Sequence, residues 1–165
     1  MASEPEKLAY LEEHVSYEVV MLNYTFMRLL TLRPSTPEEQ LDCNAFLESF
    51  GVHARNLVDF LSEKSREDGR NASDYVPGFE APDQARVKKA IFRLEKQILH
   101  VASLRATDPQ QKFNVGDARE LYAWIVPAIL KFQGHLDPSY RARLDTLGRA
   151  EALMEIPLPL SSGPD

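Results

Sequence analysis

The chain has little cysteine and no long apolar run. Cys43 is the single cysteine, so no disulfide can form within the chain, and a reducing compartment is favoured. The acidic N-terminus lacks the apolar core of a secretion signal, which together with the lone cysteine predicts a cytoplasmic protein. The longest uncharged stretches are 19–27 and 121–130. A spanning helix needs about 20 apolar residues, so no membrane association is expected.

Several motifs that carry chemistry are also missing. There is no phosphate-binding glycine loop, no zinc-finger spacing, no internal repeat and no pair of the Glu-x-x-His motifs that di-iron bundles use. We therefore predict no metal and no cofactor. One alternative stays open, a three-histidine site formed by His14, His53 and His100 if three helices converge.

The charge and the length of the chain limit the class of protein that it can be. The formal net charge is -6, which argues against binding long duplex DNA by neutralising its phosphates, although a small basic pocket for RNA remains compatible with it. With 165 residues and 44% apolar content, the chain can bury one core. We predict a single domain over 1–155 and a disordered tail over 156–165.

Apolar residues recur at steps of three and four, which is the period of an amphipathic helix. Ser3 and Glu6 form a capping box for a first helix over roughly 4–32, and Thr36 with Glu39 does the same for a second over roughly 37–66. A third helix is predicted over roughly 83–104, a fourth after Asn114, and a fifth from Asp137-Pro138 to about Met154.

No segment alternates apolar and polar residues as a strand does, so the fold class is all-α. The expected architecture is an up-down bundle of about five helices with two long N-terminal helices. The segment 67–82 has no helical period and is the longest loop. It is either a connector with Tyr75, Val76 and Phe79 packed on the bundle, or a functional lid.

Two polar groups interrupt the apolar helices. Glu48, Val52, Arg55 and Asp59 share one face of the second helix, either as a structural Arg55–Asp59 pair or as a polar cluster that faces a pocket or partner.

On the third helix, Arg93 and His100 share a face. An arginine that binds phosphate and a histidine that moves a proton are what phosphodiester cleavage needs. The alternative is that both are ordinary solvated residues.

Arg93, six residues, then His100 resembles the arginine–x4-6–histidine motif of HEPN domains, and His53-Ala54-Arg55-Asn56 resembles the arginine-asparagine part of such motifs. These all-α domains occur in toxin–antitoxin and antiphage systems. The resemblance covers roughly 5–135. It implies a homodimer that cleaves RNA without metal, with Arg93 and His100 catalytic. Arg55, Asn56 and Lys96 would then bind the RNA backbone.

The second hypothesis is a non-enzymatic helical interaction protein. It assembles as a homodimer or with a small protein partner, and the Glu48, Arg55 and Asp59 face together with the apolar stripes serves packing and assembly. Convergence of Arg93 and His100 on one cleft near Arg55 would favour the enzyme over this alternative.

Overall fold

The structure, a computed structural model, describes residues 3–62, 70–97 and 112–144. Within these ranges 77% of the residues are helical and none lies in a strand, which confirms the all-α class. No helix in these ranges combines the length and the apolar content that a membrane span requires. The elements are α1 (Glu4–Tyr10), a π-helical turn (Leu11–Val15), α2 (Ser16–Thr31), α3 (Pro37–Leu61), α4 (Lys88–Gln97), α5 (Val115–His135) and α6 (Pro138–Arg141).

The first predicted helix is confirmed as one continuous rod. The backbone stays right-handed and helical through Tyr10, Leu11 and Ser16, so α1, the π-helical turn and α2 join without a break. At its start the Glu6 carboxylate accepts a hydrogen bond from the Ser3 N–H at 2.7 Å, as the capping box requires. The wider π-helical turn was not predicted.

α2 and α3 form an antiparallel hairpin. Ring contacts pair Tyr17 with His53 at one end and Tyr24 with Phe46 nearer the turn. α3 begins at Pro37 as predicted, but the prediction that it reaches 66 is wrong, because Ser62 adopts an extended backbone. The Ser62 hydroxyl turns back to the carbonyl of Val58 at 2.6 Å.

α5 fills the centre of the bundle. Its predicted apolar side is buried as expected, and its N-cap Asn114 accepts the Gly116 N–H at 2.8 Å. Tyr122 stacks on Phe26 of α2, while Phe132 contacts Phe60 of α3, so α5 runs in the same direction as α3. The predicted core residues of α5 are Leu121, Trp124, Ile125, Ala128, Ile129 and Phe132, and all of them are buried.

The described part of the loop, 70–82, is a packed connector. Tyr75 and Phe79 are buried and Val76 is half-buried, as the first of the two interpretations predicted. Lys131 of α5 ties this segment down by donating to the Glu80 carbonyl at 2.8 Å.

Two helix boundaries differ from the prediction. A 3-10 turn over Gln84–Arg86 precedes α4, so the α-helix begins at Lys88 rather than 83. α6 ends at Arg141, and Leu144 beyond it is buried, with its carbonyl accepting the side-chain amide of Gln133 at 2.9 Å. The remaining predicted parts, 98–104, 145–154 and the tail 156–165, lie outside the described residues.

Candidate functional site

Arg93, the first predicted catalytic residue, is bound to a buried carboxylate. Its Nη1 donates to both oxygens of Asp117, at 2.9 and 3.2 Å. Asp117 lies in the first turn of α5 and also accepts the N–H of Asn114 at 3.1 Å. The pair therefore ties α4 to the beginning of α5, which is a structural role.

His100, the second predicted catalytic residue, lies outside the described residues. Its position relative to Arg93 is untested, and cleavage by this pair stays a prediction.

Arg55 lies in a different ion-pair network. Its Nε donates to Asp59 at 2.9 Å, which confirms the predicted Arg55–Asp59 pair, and its Nη1 donates to Glu95 of α4 at 2.8 Å. Glu95 and Arg93 are two residues apart, which is about 200° around a helix. Arg55 therefore lies on the Glu95 side of α4, whereas Arg93 projects from the opposite side of that helix, and the two guanidinium groups bind different carboxylates.

The two other predicted RNA-binding residues are separated as well. Asn56 donates from its amide to Glu18 of α2 at 3.1 Å. Lys96 lies over the ring of its own helix neighbour Phe92, with Nζ 4.4 Å from the ring centre. Among the predicted site residues that the structure describes, no common basic pocket forms.

A cleft that the sequence did not predict lies beside the π-helical turn. It has a volume of about 260 Å³ and is bounded by the first rod, the second half of α3 and the start of the connector. Val15, Leu57 and Phe60 form its apolar part. Its polar lining includes Tyr10, His14, Glu18, Asn56, Asp59 and Arg70.

The π-helical turn shapes one wall of this cleft. A π-turn widens the helix by one residue, and such turns are frequent at functional sites. The hydroxyl of Ser16, which is fully buried, donates to the Leu11 carbonyl at 3.0 Å. On the cleft side the rings of Tyr10 and His14 lie 5.0 Å apart. The sequence carries one signal for this turn, a serine inside the apolar stripe.

Charges of both signs meet in the cleft. Glu18 contacts Nδ1 of His53 at 2.7 Å, so one carboxylate is held between α2 and α3. Arg70 donates from Nη1 to the Glu6 carbonyl at 2.6 Å, and its guanidinium carbon lies 5.2 Å from the ring centre of Tyr10. The arrangement can hold a polar ligand by ionic hydrogen bonds.

Tyr10 lies within electrostatic range of both charged sides. Burial raises the pKa of its hydroxyl, Arg70 lowers it and Glu18 raises it. The net effect is a pKa above the ordinary value of 10.0, so Tyr10 stays protonated at neutral pH. It can therefore donate as well as accept a hydrogen bond.

The described ranges hold no group of three or more histidine, cysteine, aspartate or glutamate side chains that could bind a metal. The three-histidine alternative needs His100 and is therefore untested. Cys43 is half-buried.

Comparison with family models, with curated proteins and with solved structures gave no match to this chain. The resemblance to HEPN domains accordingly stays a prediction.

Proposed function

We propose that this protein is a non-enzymatic helical interaction protein that forms a homodimer through the outer face of the α2–α3 hairpin. The hairpin face consists of Tyr17, Met21 and Tyr24 of α2 and Phe46 of α3. The three α2 residues recur at i, i+4 and i+7 and therefore share one side of the helix.

The observation that carries the proposal is the exposure of this aromatic stripe on the side of α2 away from the core. Leu22 and Phe26 on the opposite side are buried, whereas Tyr17 is 54% exposed and Met21 and Tyr24 are half-buried. Aromatic residues and methionine are enriched where proteins contact each other. A stripe of this composition is better suited to contact with another protein than to exposure to solvent.

A second copy of the chain fits this face. A two-fold axis places the same patch of both copies in contact, so the patch must be self-complementary. The four side chains of the hairpin face are uncharged, so none of the acidic residues behind the net charge of -6 belongs to it. The guanidinium of Arg28 lies over the Phe46 ring at 5.1 Å and borders the face with a positive charge. Two hairpins packed in this way give a four-helix bundle, a common architecture.

Light scattering and sedimentation across the micromolar range test the assembly. We expect a dimer for the natural protein and a monomer for Tyr17→Lys, since a buried lysine at an apolar contact is costly. Phe92→Lys is the matched control, because Phe92 of α4 is also 54% exposed but lies outside the hairpin face. A monomeric natural protein, or equal effects of the two variants, would contradict the proposal.

RNA cleavage by Arg93 and His100 is a separate proposal, with the protein acting in the cytoplasm. The fixed position of Arg93 supports it, because a preorganised guanidinium can stabilise developing negative charge. Asp117 opposes it by competing with phosphate for that group.

Purified protein incubated with mixed RNA in a chelator gives the test of this second proposal. We expect cleavage that disappears in His100→Ala. Arg143→Gln, a substitution on an exposed pair with Glu12 at 3.1 Å, is expected to cleave normally. Absence of cleavage, or cleavage unaffected by His100→Ala, would rule the proposal out.

A further inference from the structure

We infer that the cleft beside the π-helical turn binds a small zwitterion with one ammonium group and one carboxylate, such as a free α-amino acid. The cleft and the hairpin face have no residue in common, although Tyr17 of that face contacts His53, the partner of Glu18. The inference therefore does not depend on dimer formation.

The negative side of the cleft suits an ammonium group. Glu18 and Asp59 both line it. Glu18 is held by His53 and by Asn56, which also lines the cleft, and Asp59 is held by Arg55. A carboxylate offers about four lone-pair sites. Each group can therefore accept an N–H from a ligand while it keeps its partners in the protein.

The positive side suits a carboxylate. Arg70 is anchored by its bond to the Glu6 carbonyl and by the ring of Tyr10. A guanidinium has five N–H donors in a planar fork, a geometry that matches the two oxygens of a carboxylate. The anchored Arg70 can therefore bind a ligand carboxylate without first paying the cost of ordering its own side chain.

The cleft limits the ligand in size and shape. Its volume of about 260 Å³ is just below the usual range of ligand sites, about 300 to 1,000 Å³, which restricts the ligand to a small molecule. Val15, Leu57 and Phe60 provide apolar contact for a short side chain. Tyr10, protonated at neutral pH, can hydrogen bond to either end of the ligand.

Singly charged ligands fit this arrangement less well. A simple anion would approach Arg70 against the field of Glu18 and Asp59, and a simple amine would leave Arg70 without a ligand contact. Only a ligand that carries both charges uses both sides. Comparing the affinity of an amino acid with those of the matching amine and the matching acid therefore tests the inference directly.

Titration calorimetry on the full chain, with a panel of the standard L-amino acids, provides the first test. We expect at least one to bind with a Kd in the millimolar range or tighter. The matching amine without the carboxylate, and the matching acid without the amine, are each expected to bind at least about tenfold more weakly, because one charge-assisted contact is lost. Absence of binding by the whole panel, or equal binding of the amine or the acid, would overturn the inference.

Variants then locate the site. Arg70→Gln and Glu18→Gln are expected to weaken binding of the best amino acid at least about tenfold, whereas Arg143→Gln is expected to bind like the natural protein. Arg70→Lys, which keeps the charge but not the fork, is expected to be intermediate. Unchanged binding in both Arg70→Gln and Glu18→Gln would overturn the assignment.

Nuclear magnetic resonance on the natural protein tests the site even if a variant fails to fold. On addition of the amino acid we expect amide shifts in the side chains of Asn56 and Asn71, both of which line the cleft. Shifts confined to other regions would contradict the site. Binding that persists in the monomeric Tyr17→Lys variant would separate this result from the outcome of the dimer test.

Discussion

The two halves of α3 belong to one helix but lie in different surroundings. From Phe50 onward the helix is mostly buried, whereas no residue between Pro37 and Ser49 is buried. Leu41, in this outer half, is 66% exposed. The apolar period continues through both halves, so it specifies where a helix forms and does not specify what covers it.

The outer half depends on local contacts to stay helical. An isolated helix shorter than about 12–15 residues is marginal in water, so continuity with the buried half contributes much of its stability. Its cap is formed by Thr36 and Glu39, and Phe46 contacts Tyr24 and lies beneath the guanidinium of Arg28. Substitutions in the buried half should therefore lower the free energy of unfolding more than equivalent substitutions in the outer half.

The largest expected difference is between two phenylalanines of α3. Phe50 is fully buried against Phe26, so Phe50→Ala should lower the free energy of unfolding by about 3–5 kcal/mol. Phe46→Ala should cost about 1 kcal/mol because its ring is only half-buried. Urea unfolding of both variants in the Tyr17→Lys background removes any contribution from dimer dissociation. Equal losses would show that the two halves are equally packed.

The ion pairs extend the comparison to charged residues. The side chain of Asp117 is 6% exposed and that of Asp59 is 37% exposed. Asp117→Ala should cost about 3 kcal/mol, because it leaves the Arg93 guanidinium and the Asn114 N–H without this acceptor. Asp59→Ala should cost less than about 1 kcal/mol, since solvent screens the pair with Arg55. Urea midpoints that move equally in the two variants would contradict this ranking.

Helix caps give a smaller contrast between the outer half of α3 and the central helix. Asn114 caps α5, which lies in the core, and Thr36 caps α3 where nothing is buried. Asn114→Ala is expected to cost about 1–2 kcal/mol and Thr36→Ala about 0.5 kcal/mol. Serine at either position should restore most of the loss, and failure of that rescue would show that capping is not the cause.

Much of this fold follows from local sequence signals. The caps at Thr36 and Asn114 and the buried side of α5 were predicted because they depend on residues a few positions apart. The end of α3 was placed too late. Ser62 is already extended, and its hydroxyl accepts a hydrogen bond from the side-chain amide of Gln84, which is distant in sequence.

The cleft was harder to predict from the sequence than the helices were. It joins Tyr10, Glu18 and Arg70, which no spacing rule relates, and it depends on a π-helical turn that preserves the apolar stripe. The predicted pairing of Arg55 with Asp59 was found because the two are one helical turn apart. Its second partner, Glu95, lies on another helix and was missed.

The smallest expected effect concerns pH and the start of the outer half. Backbone and side-chain hydrogen bonds from Ser35, then a backbone bond from Thr36, hold the pKa of Glu39 below its ordinary value of 4.5. A carboxyl whose pKa is lowered by folding stabilises the folded state above its unfolded pKa. That stabilisation is lost as the pH falls below 4.5 and through the folded pKa.

A titration of the Glu39 carboxyl by nuclear magnetic resonance should therefore give a midpoint below 4.5, and the Ser35 amide shift should follow the same curve because its N–H donates to that carboxylate at 2.6 Å. Glu39→Gln should remove the transition from the Ser35 amide. Since no buried residue anchors the outer half, protonation should loosen the first turn of α3 while amide protection at Phe50 and beyond stays the same. A simultaneous loss of protection in both halves would mean that α3 opens as one unit, and the contrast between its halves would then be one of exposure and not of stability.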